Sequence, residues 1–141
     1  ASLERGCLVF TDYGLVRTEY YHEQRTSGTL VCHYRHRAHD DPFVYPGLQD
    51  ITAWVDFSAC ADAAVAAGLT VGGFTTQGHY LLSVLAAAPQ WLAVVASSPQ
   101  AQSALKTLIL PGEMGERFKV LLLRKGVDGP ALPGRDLRHR L

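Results

Sequence analysis

Neither sign of charge is in excess in this sequence: 13 Lys and Arg stand against 13 Asp and Glu. Binding to nucleic acid in bulk needs a basic face that displaces counterions, so the balance argues against a nucleic-acid partner. Cysteine is scarce. Cys7, Cys32 and Cys60 are odd in number, far apart and without C-x-x-C spacing. That pattern excludes a disulfide framework and a cysteine-based zinc site, and fits buried, reduced thiols. No apolar run is long enough to cross a bilayer, which leaves no membrane partner to expect. The opening residues lack the charged start, apolar run and cleavage site of a signal peptide. The expectation is a soluble protein of a reducing compartment, the cytoplasm. Glycine signatures for phosphate are missing too: there is no G-x-G-x-x-G and no P-loop, and "VGGF" and "LPGEMGE" lack the necessary spacing. Ser58 and Ser83 have no nucleophile-elbow context, so no nucleophilic triad is legible.

What is present is a globular composition. The chain has 141 residues, 48% of them apolar, which suggests one domain able to bury roughly two thirds of its unfolded surface. "GCLVFTDYG" reads as a strand buried on both faces, as in a parallel sheet. Such a strand is unusual at the start of an α/β domain, so its neighbours are expected from later in the chain or from a part outside it. "LVRTEYYHEQRTS" reads as a loop. "GTLVCHYRHR" alternates as a peripheral strand, with Leu30, Cys32, Tyr34 and His36 on one side and Val31, His33, Arg35 and Arg37 on the other. "AHDDPFVYPGLQ" is a loop by its prolines and glycine.

"FSACADAAVAAG" predicts a helix started by Asp56 or Ser58 and stopped at Gly68. "LTVGGFTTQ" predicts a strand whose Gly72 and Gly73 allow close packing or a bulge. Thr75 or Thr76 can cap a helix through "GHYLLSVLAAA", which Pro89 closes. "QWLAVVASS" fits more than one reading. Ser98 followed by Pro99 starts another helix. "ERFKVLLLRKG" is the last strand, able to return antiparallel at the edge of the sheet. The expected division is a domain over residues 1–126 and a loose polar tail over 127–141.

Three constellations carry candidate chemistry. Asp12 ends the first strand, and ligands of open α/β sheets bind outside the carboxyl ends of strands. Its structural alternative is a turn residue bonded to its own backbone before Gly14. His33-x-x-His36-x-x-His39 has a spacing that puts neighbours on opposite faces of a strand, and Arg35 and Arg37 would repel a cation. A solvated edge, or a contact with an acidic partner, fits that cluster better than a metal. "DITAWVDF" would place Asp50, Thr52, Trp54 and Asp56 on one face and a core set of Ile51, Ala53, Val55 and Phe57 on the other. Two acids beside an aromatic suit a cationic group such as a guanidinium.

Several of these segments together resemble one family. "VFTDYG" is similar to its "DYG" strand end. "EYYHEQRTSGTLVCHYRHRAHDDPFVYPGLQDITAWVDF" resembles its block of tyrosine, "GTL", "YRHR", "DP", "PG" and "DITAHVDF". "GLTVGGFTTQGHYLL" resembles its "TTQ" segment, and "LILPGEMGERFKVLLL" its "MGExFKVL" strand. This is the MidA family of S-adenosylmethionine-dependent methyltransferases, whose mitochondrial members are complex I assembly factors that methylate an arginine. The resemblance runs from about Gly6 to Gly126 and covers the C-terminal part of the family's chain. One departure is Trp54, where the family usually has histidine.

The resemblance implies an α/β fold, the C-terminal part of a Rossmann-like class I methyltransferase sheet. An inserted hairpin-like segment and an antiparallel edge hairpin belong to it. "CLVFTDYG" would be the fifth of seven strands, and "GLTVGGFTT" and "RFKVLLL" the last two. The cofactor would be S-adenosylmethionine, its binding motif upstream of this chain, so the chain alone would be inactive. The substrate would be a protein arginine: Asp12 and Asp50 would act as catalytic residues orienting the guanidinium, with Tyr13, Thr52 and Trp54 lining its pocket. Further partners would be the missing N-terminal half or a second copy of the chain. The rival expectation is a non-catalytic interaction module that binds an acidic protein through its Arg/His-rich segment.

Overall fold

The computed structural model describes residues 3–129 and 132–141. Its main sheet has four strands in the order β5-β1-β7-β6. β1 (Gly6–Leu15) runs antiparallel to β7 (Phe118–Lys125) along most of its length, and parallel to the short β5 (Val55–Asp56) at Gly14 and Leu15. β6 (Thr70–Thr76) closes the far edge, antiparallel to β7, with a register shift between Val71 and Gly73 where the glycine pair was expected to permit one. The fold is therefore mixed α/β with an antiparallel edge pair, as the resemblance implied. That pair is joined by three helices rather than a tight turn: α3 (Gln77–Ala87), α4 (Gln90–Ala96) and α5 (Pro99–Ile109).

The helix boundaries follow from capping chemistry. The Asp56 carboxylate accepts from the Ala59 amide and starts α2 (Phe57–Ala66). Gly68 ends it at φ 79°, donating to the Val65 carbonyl, while Leu69 donates to that of Ala64. This is the double bond of a Schellman stop, which favours glycine at that position. Thr76 caps α3 and Ser98 caps α5, with Pro99 at the first helical position. The core lies between α2 and one face of the main sheet: Val16, Phe57, Ala64, Phe74, Leu121 and Leu123 bury together with Leu137.

A second sheet has the order β3-β2-β4. β2 (Leu30–Tyr34) and β3 (Arg37–His39) form an antiparallel hairpin, and β4 (Asp50–Ala53) pairs with the other edge of β2. The segment before it, expected as loop, contains one short helical turn, α1 (Arg17–Tyr20). "GTLVCHYRHR" is thus not one strand but two, turned at Arg35 and His36, which take φ of 48° and 64°.

Four expectations need correction. β1 is not buried on both faces: Leu8, Val9 and Phe10 are 38%, 55% and 50% exposed, and α2 covers Leu8 and Phe10 only in part, leaving an open cavity between them. Nor does "DITAWVDF" form one strand with a core face. It leaves the small sheet at Trp54 and joins the main one at Val55, so Ile51 and Ala53 face solvent and only Phe57 is deeply buried. The thiols are all free, but only Cys32 is buried. Finally, the tail is docked at its end. The Leu137 amide donates to the Phe74 carbonyl at 2.7 Å, and Arg140 pairs with Glu19. One buried leucine in a polar stretch is too weak a signal to read from sequence. The tail expectation at residues 130–131 lies outside the described residues.

Candidate functional site

The two sheets meet at a cavity of about 510 Å³ that opens at the carboxyl end of β1. Strand alternation builds one wall. The β2–β4 register sets Val31 opposite Thr52 and His33 opposite Asp50, and all four line the cavity. Trp54 lines it from the link between β4 and β5. Tyr13, at the end of β1, and Arg117 and Phe118, at the start of β7, supply the opposite wall.

A direct bond joins the walls: the Tyr13 hydroxyl and Thr52 Oγ1 form a hydrogen bond. Tyr13 also meets Phe118 edge-on, ring centres 5.6 Å apart and planes at 77°. Trp54 is held from behind. Its amide donates to the Thr29 carbonyl, and the Arg25 guanidinium sits 5.3 Å from the indole centre. Thr29 in turn bonds the Tyr20 hydroxyl at 2.9 Å. The cavity thus offers one carboxylate, one guanidinium, one imidazole, two coupled hydroxyls and an indole. Such a set can hold a cation against Asp50 and Trp54.

The expected site residues divide. Asp50, Tyr13, Thr52 and Trp54 come together in this cavity. Asp12 does not join them. It lines a separate apolar cavity of about 470 Å³ with Leu8, Phe10 and Cys60, and its carboxylate accepts from the Tyr13 amide at 2.8 Å. The reason is alternation: Asp12 and Tyr13 are consecutive on β1 and leave by opposite faces. The expectation that both carboxylates face one cavity is therefore corrected, as is the strand-end or turn position expected of Asp12, which lies within β1 opposite Lys119. Asp56 serves as a helix cap.

Val31, His33, Arg117 and Phe118 line the cavity without having been singled out for it. Only the register could place them, since Phe118 becomes the partner of Tyr13 by antiparallel pairing across more than a hundred residues. Among the described residues no group of three or more His, Cys, Asp or Glu is placed to hold a metal. No single described helix is long and apolar enough to cross a membrane.

The titration shifts lie outside this cavity. Desolvation pushes the Cys32 thiol up, and partial shielding does the same for the exposed Cys60, with nearby aspartates adding to both. Burial also lowers Lys119, whose Nζ donates to the Glu116 carbonyl. Asp136 is held below the carboxylate range by hydrogen bonds from Arg138.

In the family of the resemblance, the cofactor sits on a glycine-rich loop. Here the glycines that approach neighbours most closely, among them Gly14, Gly73, Gly78 and Gly115, are met by the chain's own atoms. No described glycine frames an open cradle that a Cβ would fill.

The fold and cavity define a mixed α/β domain with a polar cavity at a strand end. Comparison with known proteins identifies its class. A family described as "Putative S-adenosyl-L-methionine-dependent methyltransferase" matches residues 1–75, more than half of the chain, and the chain belongs to that family. Two solved structures from Burkholderia thailandensis are similar, each at 48% identity. One is an uncharacterized superfamily protein, matched over 97% of this chain with a TM-score of 0.86. The other, called a "likely methyl transferase", was solved bound to S-adenosyl-homocysteine and is matched over 96% of this chain with a TM-score of 0.82. The chain spans 38% and 36% of their respective lengths. No curated protein matches it.

Proposed function

We propose that this chain forms the acceptor side of an S-adenosylmethionine-dependent methyltransferase and that the acceptor is a protein arginine. Family membership and the S-adenosyl-homocysteine bound to one relative support the reaction class. The similarity to MidA proteins supports arginine. The observation that carries the reading is the cavity in which Asp50, Trp54 and the Tyr13–Thr52 pair converge. Asp50 would accept hydrogen bonds from a guanidinium and balance its charge. Trp54 would offer an indole face to the cation, in place of the family's usual imidazole. Positioning the acceptor in this way is the main work open to these residues.

The cofactor would be held by residues outside this chain, as the closed glycine contacts suggest. A covering segment would also explain the exposed Leu8, Val9 and Phe10 and the edge of β1 beside them, which pairs with no described strand, since an open apolar edge invites association. The remainder of a longer protein would fill that role, or a second copy of the chain.

A graft tests this. Replacing the matched segment of the S-adenosyl-homocysteine-binding relative with this chain should preserve binding of that compound, while the chain by itself should show none by calorimetry. The graft, given labelled S-adenosylmethionine and a protein extract, should yield methylarginine on hydrolysis. Micromolar binding by the chain alone would mean that the cofactor site has been misplaced. Label on another residue type would remove the arginine assignment.

A further inference from the structure

The β2–β3 hairpin, whose β2 strand also carries Val31 and His33 into the cavity between the sheets, has features at its turn end that a simple connecting turn would not need. Its turn residues, Arg35 and His36, both have positive φ, in a position where an Asn-Gly pair is the unstrained choice. Arg35 lies against Tyr34, guanidinium 5.3 Å from the ring centre. Tyr34 stacks on Tyr45 from the following loop, centres 4.2 Å apart and planes at 25°. Arg35, Arg37 and this stacked pair enclose a cavity of about 410 Å³. Among the described residues, neither Arg35 nor Arg37 has a carboxylate in salt-bridge range, unlike Arg17, Arg138 and Arg140, which pair with Asp62, Asp136 and Glu19.

A second cavity of about 320 Å³ shares Tyr34, Arg37 and Tyr45. It contains His39, whose Nε2 is buried without a hydrogen-bond partner. Asp41 also lines it, and its Oδ1 already accepts from the Phe43 amide at 2.8 Å. Phe43 itself is 84% exposed. Two guanidinium forks with no described carboxylate in salt-bridge range, beside an aromatic stack, match the chemistry of an acidic peptide.

We propose that this hairpin is a docking arm for a glutamate- or aspartate-rich segment of a partner protein. Arg35 and Arg37 take its carboxylates in bidentate fashion, and Tyr34 and Tyr45 pack against the peptide. The zero net charge of the chain favours a peptide over nucleic acid, which would draw on a broad basic face. The proposal is independent of the methyl-transfer reading.

Fluorescence anisotropy with a fluorescein-labelled glutamate-rich peptide tests it on the full chain. Saturable binding is expected, and the Arg35→Gln/Arg37→Gln double variant should weaken it by about tenfold or more. Lys106→Gln, a distant exposed cation on α5, should leave it unchanged. The double lysine variant keeps the charge but not the fork, so it should bind between the two. If the Gln variant loses its circular dichroism, a lysine-for-glutamate version of the peptide on the unaltered chain gives the same test and should not bind. Equal binding by the folded Gln variant, equal binding of the lysine peptide, or tighter binding of oligothymidylate would each overturn the proposal.

Discussion

Replacing Gly14 by alanine tests whether β5 is seated on β1, the contact that holds Trp54 and the cavity wall in place. An added Cβ would lie 2.4 Å from the Val55 carbonyl oxygen and 2.7 and 2.9 Å from two ring carbons of Phe57. Val55 is the register partner of Gly14, and Phe57 is 1% exposed with its ring against Phe74. Neither neighbour has room to yield. Overpacking a filled core costs about 1–3 kcal/mol, and a backbone contact this short belongs at the upper end. The lower backbone entropy of alanine in the unfolded chain offsets roughly 0.5–1 kcal/mol. The net loss is about 2 kcal/mol, which lowers a urea midpoint by roughly 1 M at a typical m-value. Tryptophan fluorescence would follow the transition, since Trp54 directly precedes β5. Gly112→Ala, with nothing within 4 Å of its added Cβ, should stay within about 0.5 kcal/mol. An unchanged midpoint for Gly14→Ala would refute the seating of β5 and with it the geometry of the site.

Leu137→Ala should destabilise the domain by about 2–4 kcal/mol in the same assay, because it empties a core position; a loss under about 0.5 kcal/mol would mean that the C-terminal segment is not docked. Asp56→Ala should cost about 1 kcal/mol by removing the cap on the Ala59 amide, whereas Asp56→Asn should cost little. Lys119 is lowered by burial, so the folded state sheds this proton before the unfolded state does. Between its lowered value and the ordinary 10.5, the unfolded state binds more protons, and stability should rise with pH across that window. Lys119→Met should abolish the rise, as urea titrations at successive pH values would record.

Local chemistry was the legible part of the fold. The cap at Ser98, the stop at Gly68 and the apolar run of β7 depend on neighbours a few residues away and were readable from the residues alone, which also narrowed the other caps to Asp56 or Ser58 and Thr75 or Thr76. The antiparallel return of the last strand was open from the residues, and its pairing with β6 as an edge hairpin was legible through family resemblance. Long-range partners were not legible at all. "DITAWVDF" alternates well enough for one strand, but Trp54 is where the chain changes sheets, and periodicity within eight residues cannot reveal that. The burial expected of β1 failed because an apolar pattern reports what a side chain favours, not whether a neighbour is present to cover it. In the site, Asp50, Thr52 and Trp54 were grouped by alternation and Tyr13 through the resemblance. Alternation along β1 also separates Asp12 from Tyr13, a consequence of consecutive positions that the search for paired acids passed over. His33 attracted attention as part of a metal spacing, while its place opposite Asp50 depended on a register no single segment encodes.

The central claim is that Asp50 steadies an acceptor cation in the cavity between the two sheets. The most direct test is the rate of methylarginine formation by the grafted enzyme with and without the Asp50→Asn substitution, measured alongside S-adenosyl-homocysteine binding. Asp50 is exposed in the free chain, so the charge counts fully only once a bound acceptor shields it from water; loss of a charged hydrogen bond then costs about 1.5–3 kcal/mol, or roughly one to two decades in rate. The account predicts that Asp50→Asn slows transfer by about 10–100-fold and leaves S-adenosyl-homocysteine affinity unchanged. Equal rates for the two proteins would contradict it.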